Sequence, residues 1–400
     1  MANIIVYVID DSAWLDFEAT PRIATLMQSA SVFRRGFVPR PVCGPSRASL
    51  LTGLHPHNSL IKSNGGAGQN DQLWRDHHSG NALLDWMKAA GYATAWLGKG
   101  VNGVARSSIT GADYYQAPIS RNDPDADPYW LDDLTTKAVA WMNGKTKAFL
   151  YFAPSSPHGP LVPAAAHAGT YASEPLPQAG SFNEGDMSDK RMYGNRPALD
   201  ADEIAKMTER YRLRREMMES VADSLLALRA AQPNAWILLM SDNGYHHGEH
   251  RIMKGKGTYF EESIRVPMMI LGPGVAAQEI NALCYANVDL TATVLAIAGL
   301  SRSNLDGRSL LPLLANPSMA WRKYVMLDYR PRFYGARGVS RKFVVLRSGE
   351  TEMYVLDKDP YELRQRMDPD DTKGAALRVV AEKLIAAPPG AGWAIETGAA

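Results

Sequence analysis

Acidic and amide side chains follow two apolar runs of the sequence, in positions where they could bind a metal ion. Asp10 and Asp11 come directly after I-I-V-Y-V-I, and Asp242 and Asn243 come just after W-I-L-L-M. Carboxylate and amide oxygens suit Ca²⁺ or Mg²⁺, whereas zinc prefers histidine and cysteine ligands. Asp and Asn are also the ordinary residues of turns, so either pair taken alone is more simply explained as solvated turn residues.

A further candidate for chemistry is Cys43, one of 2 cysteines in the chain, the other being Cys284. It lies in P-V-C-G-P-S-R-A-S-L-L-T-G, four residues before Arg47. A buried inert thiol is the simplest interpretation of a lone cysteine. A thiolate nucleophile at a helix N-terminus is the second, and a cysteine converted after synthesis into another group is the third. The residue types alone leave these three interpretations open.

The stretch C-G-P-S-R-A-S-L-L-T-G resembles the C-x-P-S-R and L-T-G signature of the type I sulfatases, of the alkaline phosphatase superfamily. In that family the cysteine is oxidised to formylglycine, an aldehyde whose hydrate is the nucleophile. Further segments resemble the family's landmarks in its order: T-P-R-I-A-T-L, G-Y-A-T-A-W-L-G-K, S-P-H-G-P, S-D-N-G-Y-H-H-G-E-H, K-G-T-Y-F-E-E-S-I-R-V-P, V-D-L-T-A-T-V-L, D-G-R-S-L-L-P-L-L and Y-V-L-D-K-D-P-Y-E-L. The resemblance covers nearly the whole chain and favours the third interpretation of Cys43.

The resemblance implies a role for each matching residue. Calcium, with magnesium as the alternative, would be bound by Asp10, Asp11, Cys43 as formylglycine, Asp242 and Asn243. The catalytic residues would be Cys43, Arg47, Lys99, His158 and Lys256. Arg47 would orient the hydrate, the two lysines would bind the sulfate, and His158 with Lys256 would protonate or stabilise the departing alcohol. A formylglycine-generating maturation enzyme is the implied protein partner.

One segment departs from the common pattern of the family. Most sulfatases carry K-W-H-L-G, whereas this chain has K-G-V-N-G, with Val101 in the place of the histidine and Asn102 after it. The departure is closer to the K-Y-L-N of glucosamine-6-sulfatases and heparan endosulfatases. An amide cannot act as a base near neutral pH, so we expect Asn102 to bind or orient substrate. His246 and His250 are the other expected substrate-binding residues.

These residues predict a sulfuric ester hydrolase that cleaves a sulfate monoester on a sulfated small molecule or saccharide. The alternative enzyme is a phosphonate monoester or phosphodiester hydrolase, because relatives with the same nucleophile cleave those esters. A third hypothesis is a catalytically silent binding protein in which Cys43 is never modified. The full set of acidic residues, lysines and His158 argues against that hypothesis.

The elements that must position these residues follow from hydrophobic patterning. Short apolar runs alternate with amphipathic segments, which predicts an α/β fold with a mostly parallel central sheet flanked by helices over residues 1–314. Short alternating strands predict a small antiparallel C-terminal subdomain over 315–400. The expected strands are Ile4–Ile9, Ala93–Leu97, Phe149–Ala153, Trp236–Met240, Lys342–Arg347 and Glu352–Leu356. The expected helices are Pro21–Ala30, Ser46–Leu54, Gly80–Ala90 and Asp200–Ala231, with long loops at Ser59–Ser79 and Gly159–Arg196.

Composition limits the partners and the location. The formal net charge of +1 gives no sign of nucleic-acid binding. The apolar runs are too short to span a bilayer, and the first residues lack the basic and cleavage regions of a signal peptide. Together with the scarcity of cysteine, this predicts a protein of the reducing cytoplasm. Arg212, Arg214 and Arg215 are interpreted as a solvated helix face.

Overall fold

The computed structural model describes residues 2–66, 68–117, 129–366 and 372–399. The strands are β1 (Ile4–Ile9), β2 (Ser31–Phe33), β3 (Gly36–Phe37), β4 (Ala93–Gly98), β5 (Tyr114–Gln116), β6 (Ala148–Ala153), β7 (Trp236–Ser241), β8 (Met268–Leu271), β9 (Gln278–Ile280), β10 (Cys284–Tyr285), β11 (Tyr324–Tyr329), β12 (Phe333–Gly338), β13 (Arg341–Leu346) and β14 (Thr351–Val355). The helices are α1 (Trp14–Glu18), α2 (Pro21–Met27), α3 (Cys43–Thr52), α4 (Pro56–Ser59), α5 (Gln69–His77), α6 (Leu83–Ala89), α7 (Trp130–Met142), α8 (Ala201–Ala231), α9 (Glu261–Ile264), α10 (Val288–Ile297), α11 (Leu311–Ala315), α12 (Thr372–Ala386) and α13 (Gly392–Thr397).

The central sheet has 8 strands in the order β5-β4-β6-β1-β7-β8-β2-β9. Strands β5, β4, β6, β1 and β7 run parallel, and β8 is antiparallel to both of its neighbours. Every residue of β1 is buried, because helices cover both faces of the sheet. The predicted α/β class and the mostly parallel sheet are therefore confirmed.

Two apolar layers lie on opposite faces of this sheet. Because successive side chains of a strand point to opposite faces, Val6 packs in one layer and Tyr7 in the other. The first layer is completed by α3, α6 and α10, and the second by α7 and α8. The helix layers leave the carboxyl ends of the parallel strands at one edge, where open α/β sheets bind their ligands.

The C-terminal part is an antiparallel sheet of 4 strands, β11 to β14 in sequential order. Helix α12 packs on it through Leu377 and Ala381, which contact Phe343 of β13. The antiparallel C-terminal sheet is thus confirmed. The boundary predicted after residue 314 stays a prediction, and it falls inside the short helix α11.

Several predicted boundaries are wrong in detail, since α6 begins at Leu83 rather than Gly80 and α2 ends at Met27 rather than Ala30. Helix α3 begins at Cys43 rather than Ser46, because Pro45 is compatible with a first helical turn, where its missing N–H would have no intrahelical partner. The predicted loop Ser59–Ser79 contains α5, a polar helix that buries Trp74. The second loop is confirmed, since residues 159–196 contain neither helix nor strand. Within the residues that the structure describes, no helix combines the length and apolarity needed to cross a membrane.

A buried ion-pair cluster connects the C-terminal residues to the main domain and gives a stability prediction. Arg322 donates to both carboxylate oxygens of Asp289 at 2.7 and 2.8 Å and to Glu396 at 2.6 Å. Arg322→Ala would leave two buried carboxylates without their partner, so we expect it to lower the free energy of unfolding by about 3–5 kcal/mol. Urea denaturation measures this loss.

The control for that variant is Arg378→Ala, which removes an arginine that pairs with Glu382 while both side chains are about half exposed. An exposed pair of this kind contributes about 0.5 kcal/mol. Equal losses in the two variants would contradict the structural role of Arg322.

Candidate active site

The carboxyl ends of four neighbouring strands bring the predicted site residues together. Asp10 and Asp11 follow β1, Lys99 follows β4, and Asp242 follows β7, while His158 lies five residues after β6. Because these strands are adjacent in the order β4-β6-β1-β7, their ends meet at one edge. The structure therefore brings together residues that the resemblance assigned to one site, while their individual roles stay predictions.

Cys43 lies among the carboxylates that follow β1. Its Sγ is 3.7 Å from Asp10 Oδ1 and 3.6 Å from Asp11 Oδ1. These three residues and His158 each place one ligand atom within 4.8 Å of the others. Asp11 has a positive φ of 68°, a conformation that Asp adopts more readily than most residues, and its N–H donates to Asp242 Oδ1 at 3.0 Å. The turn thus directs both aspartates at the cysteine.

Three cationic side chains neutralise the three carboxylates. Lys99 Nζ donates to both oxygens of Asp10 at 2.8 and 2.7 Å, and Arg47 Nε donates to Asp242 Oδ2 at 2.8 Å. Lys256 Nζ donates to Asp11 Oδ1 and lies 2.8 Å from the Sγ of Cys43. Burial alone would raise the pKa of Asp10, but Lys99 and Arg47 outweigh it and lower that pKa to about 2. Burial would also raise the pKa of Asp11, but Lys256 outweighs it and lowers that pKa, so Asp10 and Asp11 are ionised at neutral pH.

The donor set fits a hard divalent cation. Asn243 Nδ2 donates to Asp11 Oδ1 at 2.9 Å, while its own Oδ1 is buried without a hydrogen-bond partner. A buried amide oxygen without a partner is costly unless something binds it. With Asp10, Asp11 and Asp242 it forms an all-oxygen set that suits Ca²⁺ or Mg²⁺. These residues would hold the predicted ion, and its identity stays a prediction.

Cys43 is the first residue of α3 and is almost fully buried. Burial, followed by the charges of Asp242, Asp10 and Asp11, raises the pKa of the thiol well above its usual value. With these neighbours the cysteine stays protonated at neutral pH, so the arrangement gives no support to a thiolate nucleophile. The other cysteine, Cys284, is buried in the apolar layer that contains Val6 and α3.

Two of the predicted residues border Cys43 without direct bonds to its sulfur. His158 Nε2 lies 3.8 Å from Asp11 Oδ2, and its side chain is partly exposed at the opening of the site. Asn102 lies beside the first turn of α3, because its Cβ is 3.3 Å from the position that a Cβ on Gly44 would take. Its Oδ1 is buried and unpartnered. Their predicted roles, with leaving group and substrate, are compatible with these positions and stay predictions.

The structure does not bring His246 and His250 into contact with Cys43. The ring of His246 is buried and bonds Thr258 Oγ1 at 2.8 Å, and the ring of His250 bonds Glu184 at 2.7 Å and stacks on Phe260. Their predicted substrate contacts therefore stay untested predictions.

A further metal-like group consists of His250, Glu262 and Glu362. It already contains the ammonium group of Lys342, which is paired with Glu362. The charge of this group is thus compensated by the chain itself.

Sequence reasoning missed one buried arginine that orders the site. Arg214 donates to Asp16, to the carbonyl oxygen of Asp11 and to the carbonyl oxygen of Pro157 at 3.2 Å. It thus ties the turn of the metal-binding aspartates to the segment that carries His158. The interpretation of Arg212, Arg214 and Arg215 as a solvated face is wrong for the last two, which are buried. Their helical spacing from Tyr211 and Met218, which share the buried side of α8, is the signal that indicates this.

The family models and the relatives that match this chain are described as sulfatases or sulphohydrolases. The family model described as Sulfatase matches residues 3–300, and one described as N-sulphoglucosamine sulphohydrolase, C-terminal, matches residues 248–386. N-acetylglucosamine-6-sulfatase of Homo sapiens is 26% identical over 82% of this chain and 67% of its own length. The extracellular sulfatase SULF-1 homolog of Drosophila melanogaster is 28% identical over 80% of this chain. This chain spans only 32% of the length of that fly relative.

Solved structures share the fold. One protein in complex with its substrate D-glucosamine-2-N,6-O-disulfate superposes with a TM-score of 0.78 and 21% identity over 96% of this chain and 97% of its own. The phosphonate monoester hydrolase of Agrobacterium radiobacter gives a TM-score of 0.77 with 19% identity over 96% of this chain and 95% of its own.

The sulfatase family match, with the fold shared by the solved structures, places the chain in the alkaline phosphatase superfamily. Within that superfamily, the family match over residues 3–300 gives the narrower assignment. The chain belongs to the sulfatase family, as the resemblance of its cysteine segment predicted.

Metal binding gives a direct test of the oxygen donor set. We expect calcium to raise the melting temperature of the wild-type protein, by an amount that corresponds to about 2.7 kcal/mol at a hundredfold excess over Kd. Asn243→Ala removes the unpartnered amide oxygen, so we expect its calcium affinity to fall by about tenfold or more. Isothermal titration calorimetry measures both affinities.

The matched control is Asn316→Ala, an exposed asparagine after α11. Its calcium affinity should equal that of the wild type. Equal affinities for Asn243→Ala and the wild type would show that Asn243 is not a ligand.

Proposed function

We propose that this protein hydrolyses a sulfate monoester of a sulfated carbohydrate, with Cys43 converted to formylglycine and with a bound divalent cation, calcium in the first place. The observation that carries the proposal is the position of Cys43, within 4 Å of Asp10, Asp11 and Lys256. Its Sγ stands where a hydroxyl of the aldehyde hydrate would lie. Membership of the sulfatase family supports the same reaction.

The charges of the site favour an anionic ester. Asp10, Asp11 and Asp242 are balanced by Arg47, Lys99 and Lys256 in the protein alone. A bound divalent cation would leave two positive charges in excess in a site that is largely closed to water. Such an excess stabilises an anion, and most of all the charge that develops on the sulfonyl oxygens in the transition state.

The cationic residues surround the proposed nucleophile, and each contacts a different part of the site. The aldehyde hydrate would supply one hydroxyl to attack sulfur and a second hydroxyl to expel sulfate afterwards. Lys256, which already contacts Cys43 Sγ, is placed to bind a sulfonyl oxygen. Lys99 donates to Asp10, whose Oδ1 lies 3.7 Å from the same Sγ. Arg47 donates to Asp242 and to the carbonyl oxygen of Lys99 at 2.9 Å, so it fixes both around the nucleophile.

His158 is the residue best placed to protonate the leaving alcohol. It lies at the opening of the site, and its Nδ1 is 2.7 Å from the carbonyl oxygen of Gly159. If that nitrogen carries the proton, the Nε2 that faces Asp11 is left to exchange a proton with the substrate. Asp10 and Asp11 cannot donate this proton, because Lys99 and Lys256 keep their carboxylates ionised.

A glucosamine 6-sulfate is the substrate that we propose. The segment K-G-V-N-G, with Val101 in the place of the common histidine and Asn102 after it, resembles the K-Y-L-N of the glucosamine-6-sulfatases. The human relative is named N-acetylglucosamine-6-sulfatase. We also propose a maturation enzyme as protein partner, which would oxidise Cys43. The proposed location is the cytoplasm.

A phosphonate monoester or phosphodiester hydrolase is the second candidate, since the solved hydrolase of that class shares the fold. Aldehyde-bearing protein should be assayed on N-acetylglucosamine 6-sulfate, 4-nitrophenyl sulfate, bis(4-nitrophenyl) phosphate and phenyl phosphonate monoesters. We expect the highest kcat/KM on the glucosamine sulfate. A higher kcat/KM on the phosphodiester or the phosphonate would refute the sulfatase proposal in favour of the second candidate.

The role of His158 depends on the leaving group. We expect His158→Ala to lower kcat on N-acetylglucosamine 6-sulfate by about 10²–10⁴-fold, because the sugar alkoxide must gain a proton as it leaves. The loss on 4-nitrophenyl sulfate should be much smaller, because nitrophenolate leaves without a proton. His77→Ala, on the exposed side of α5, is the control. The same loss on both esters would assign His158 to another step.

A further inference from the structure

A buried arginine joins two loops beside the nucleophile. Arg40 donates to the carbonyl oxygen of Lys62 and, at 3.0 Å, to that of Arg330. The first loop continues to Asn64, whose Oδ1 accepts from the N–H of Gly44 at 2.8 Å. Residues 62–64 and 329–332 are therefore held together next to the N-terminus of α3, which begins at Cys43.

The second loop also contacts the segment of the active-site lysine. An added Cβ on Gly257 would lie 3.1 Å from the ring of Tyr329 and 3.8 Å from Nη1 of Arg332. Gly257 directly follows Lys256, whose Nζ contacts Cys43 Sγ. The guanidinium of Arg332, in the connection between β11 and β12, thus lies beside the residue that follows Lys256.

Arg332 and Lys62 are exposed cations without an acidic partner. Neither forms an ion pair with any carboxylate of the described residues, whereas the neighbouring Arg330 pairs with Asp328 at 2.8 Å. Two cations without an ion-pair partner among the described residues, on the two loops that Arg40 joins beside α3, leave a local positive charge that the chain does not neutralise. Such a charge attracts anions beyond the one that reacts.

We infer that Arg332, with Lys62, binds a second acidic group of the substrate, a sulfate or a carboxylate that is not cleaved. The inference rests on the proposed function and narrows its substrate class to saccharides with at least two acidic groups. A guanidinium binds either group with two parallel hydrogen bonds, so the chemistry is shared. Tyr329 supports the guanidinium, because its ring centre is 5.5 Å from Cζ of Arg332.

The test compares three sugars that carry the same 6-sulfate. N-acetylglucosamine 6-sulfate has no second acidic group, N-sulfoglucosamine 6-sulfate adds a sulfate, and a glucuronate-containing disaccharide adds a carboxylate. We expect the wild-type protein to prefer one or both of the doubly charged sugars. Arg332→Gln should raise KM for the preferred sugar by about tenfold with little change in kcat, because a contact equal in ground and transition state is lost.

Three further variants sharpen this test. Lys62→Gln should give a smaller increase in KM on the same sugar, and Arg332→Lys should recover only part of the affinity because lysine lacks the paired donors. Lys206→Gln removes an exposed lysine of α8 and should change nothing. The sugar on which Arg332→Gln acts identifies the second group as sulfate or carboxylate.

Two results would overturn the inference in different ways. Turnover of all three sugars with equal kcat/KM, unchanged in Arg332→Gln, would refute the second-anion contact and leave the proposed sulfatase reaction intact. A wild-type protein that carries the aldehyde and cleaves no sulfate ester would refute the proposed function and the inference together.

Discussion

Three carboxylates buried at one edge of a sheet are the constraint on which this structure depends. An isolated ion in such a place costs several kcal/mol, and its charge is tolerated only when a partner is held close to it. Asp10, Asp11 and Asp242 meet this condition because the chain supplies Lys99, Lys256 and Arg47 at hydrogen-bonding distance. Two of these cations are the residues that would bind a sulfate group. Neutralising the buried acids and binding an anionic ester are thus tasks of the same side chains.

Other buried polar side chains hold the segments that carry the site residues. Arg214 bonds Asp16 and the backbone on both sides of the site, and its guanidinium lies 3.9 Å from the ring centre of Tyr245. The segment between Asn243 and Lys256 is fixed by His250, which bonds Glu184 and stacks on Phe260 at 3.7 Å. A histidine that the sequence predicted to bind substrate thus also holds the loops of the site.

The parts of the site that follow from local pattern could be predicted, and the parts set by distant partners could not. Asp10 and Asp242 each follow an apolar run that predicts a buried strand, and the structure shows that these two strands are adjacent and parallel. Arg214 looked like a solvated residue because its partner Asp16 is 198 positions away and only the fold brings them together. Helix α5 was missed since its residues are mostly polar and its packing depends on Trp74. The start of α3 was misplaced because Gly44 and Pro45 are also ordinary turn residues.

Conversion of Cys43 is the central claim, since the proposed reaction needs two hydroxyls on one carbon and no thiol can supply them. The most direct test is mass spectrometry of the peptide that contains Cys43, paired with the turnover of a sulfate ester by the same preparations. Samples made with and without a formylglycine-generating enzyme would span a range of aldehyde content. The account predicts that turnover rises in proportion to the aldehyde fraction and is lost in Cys43→Ala. Full activity in a preparation whose Cys43 is entirely unmodified thiol would contradict it.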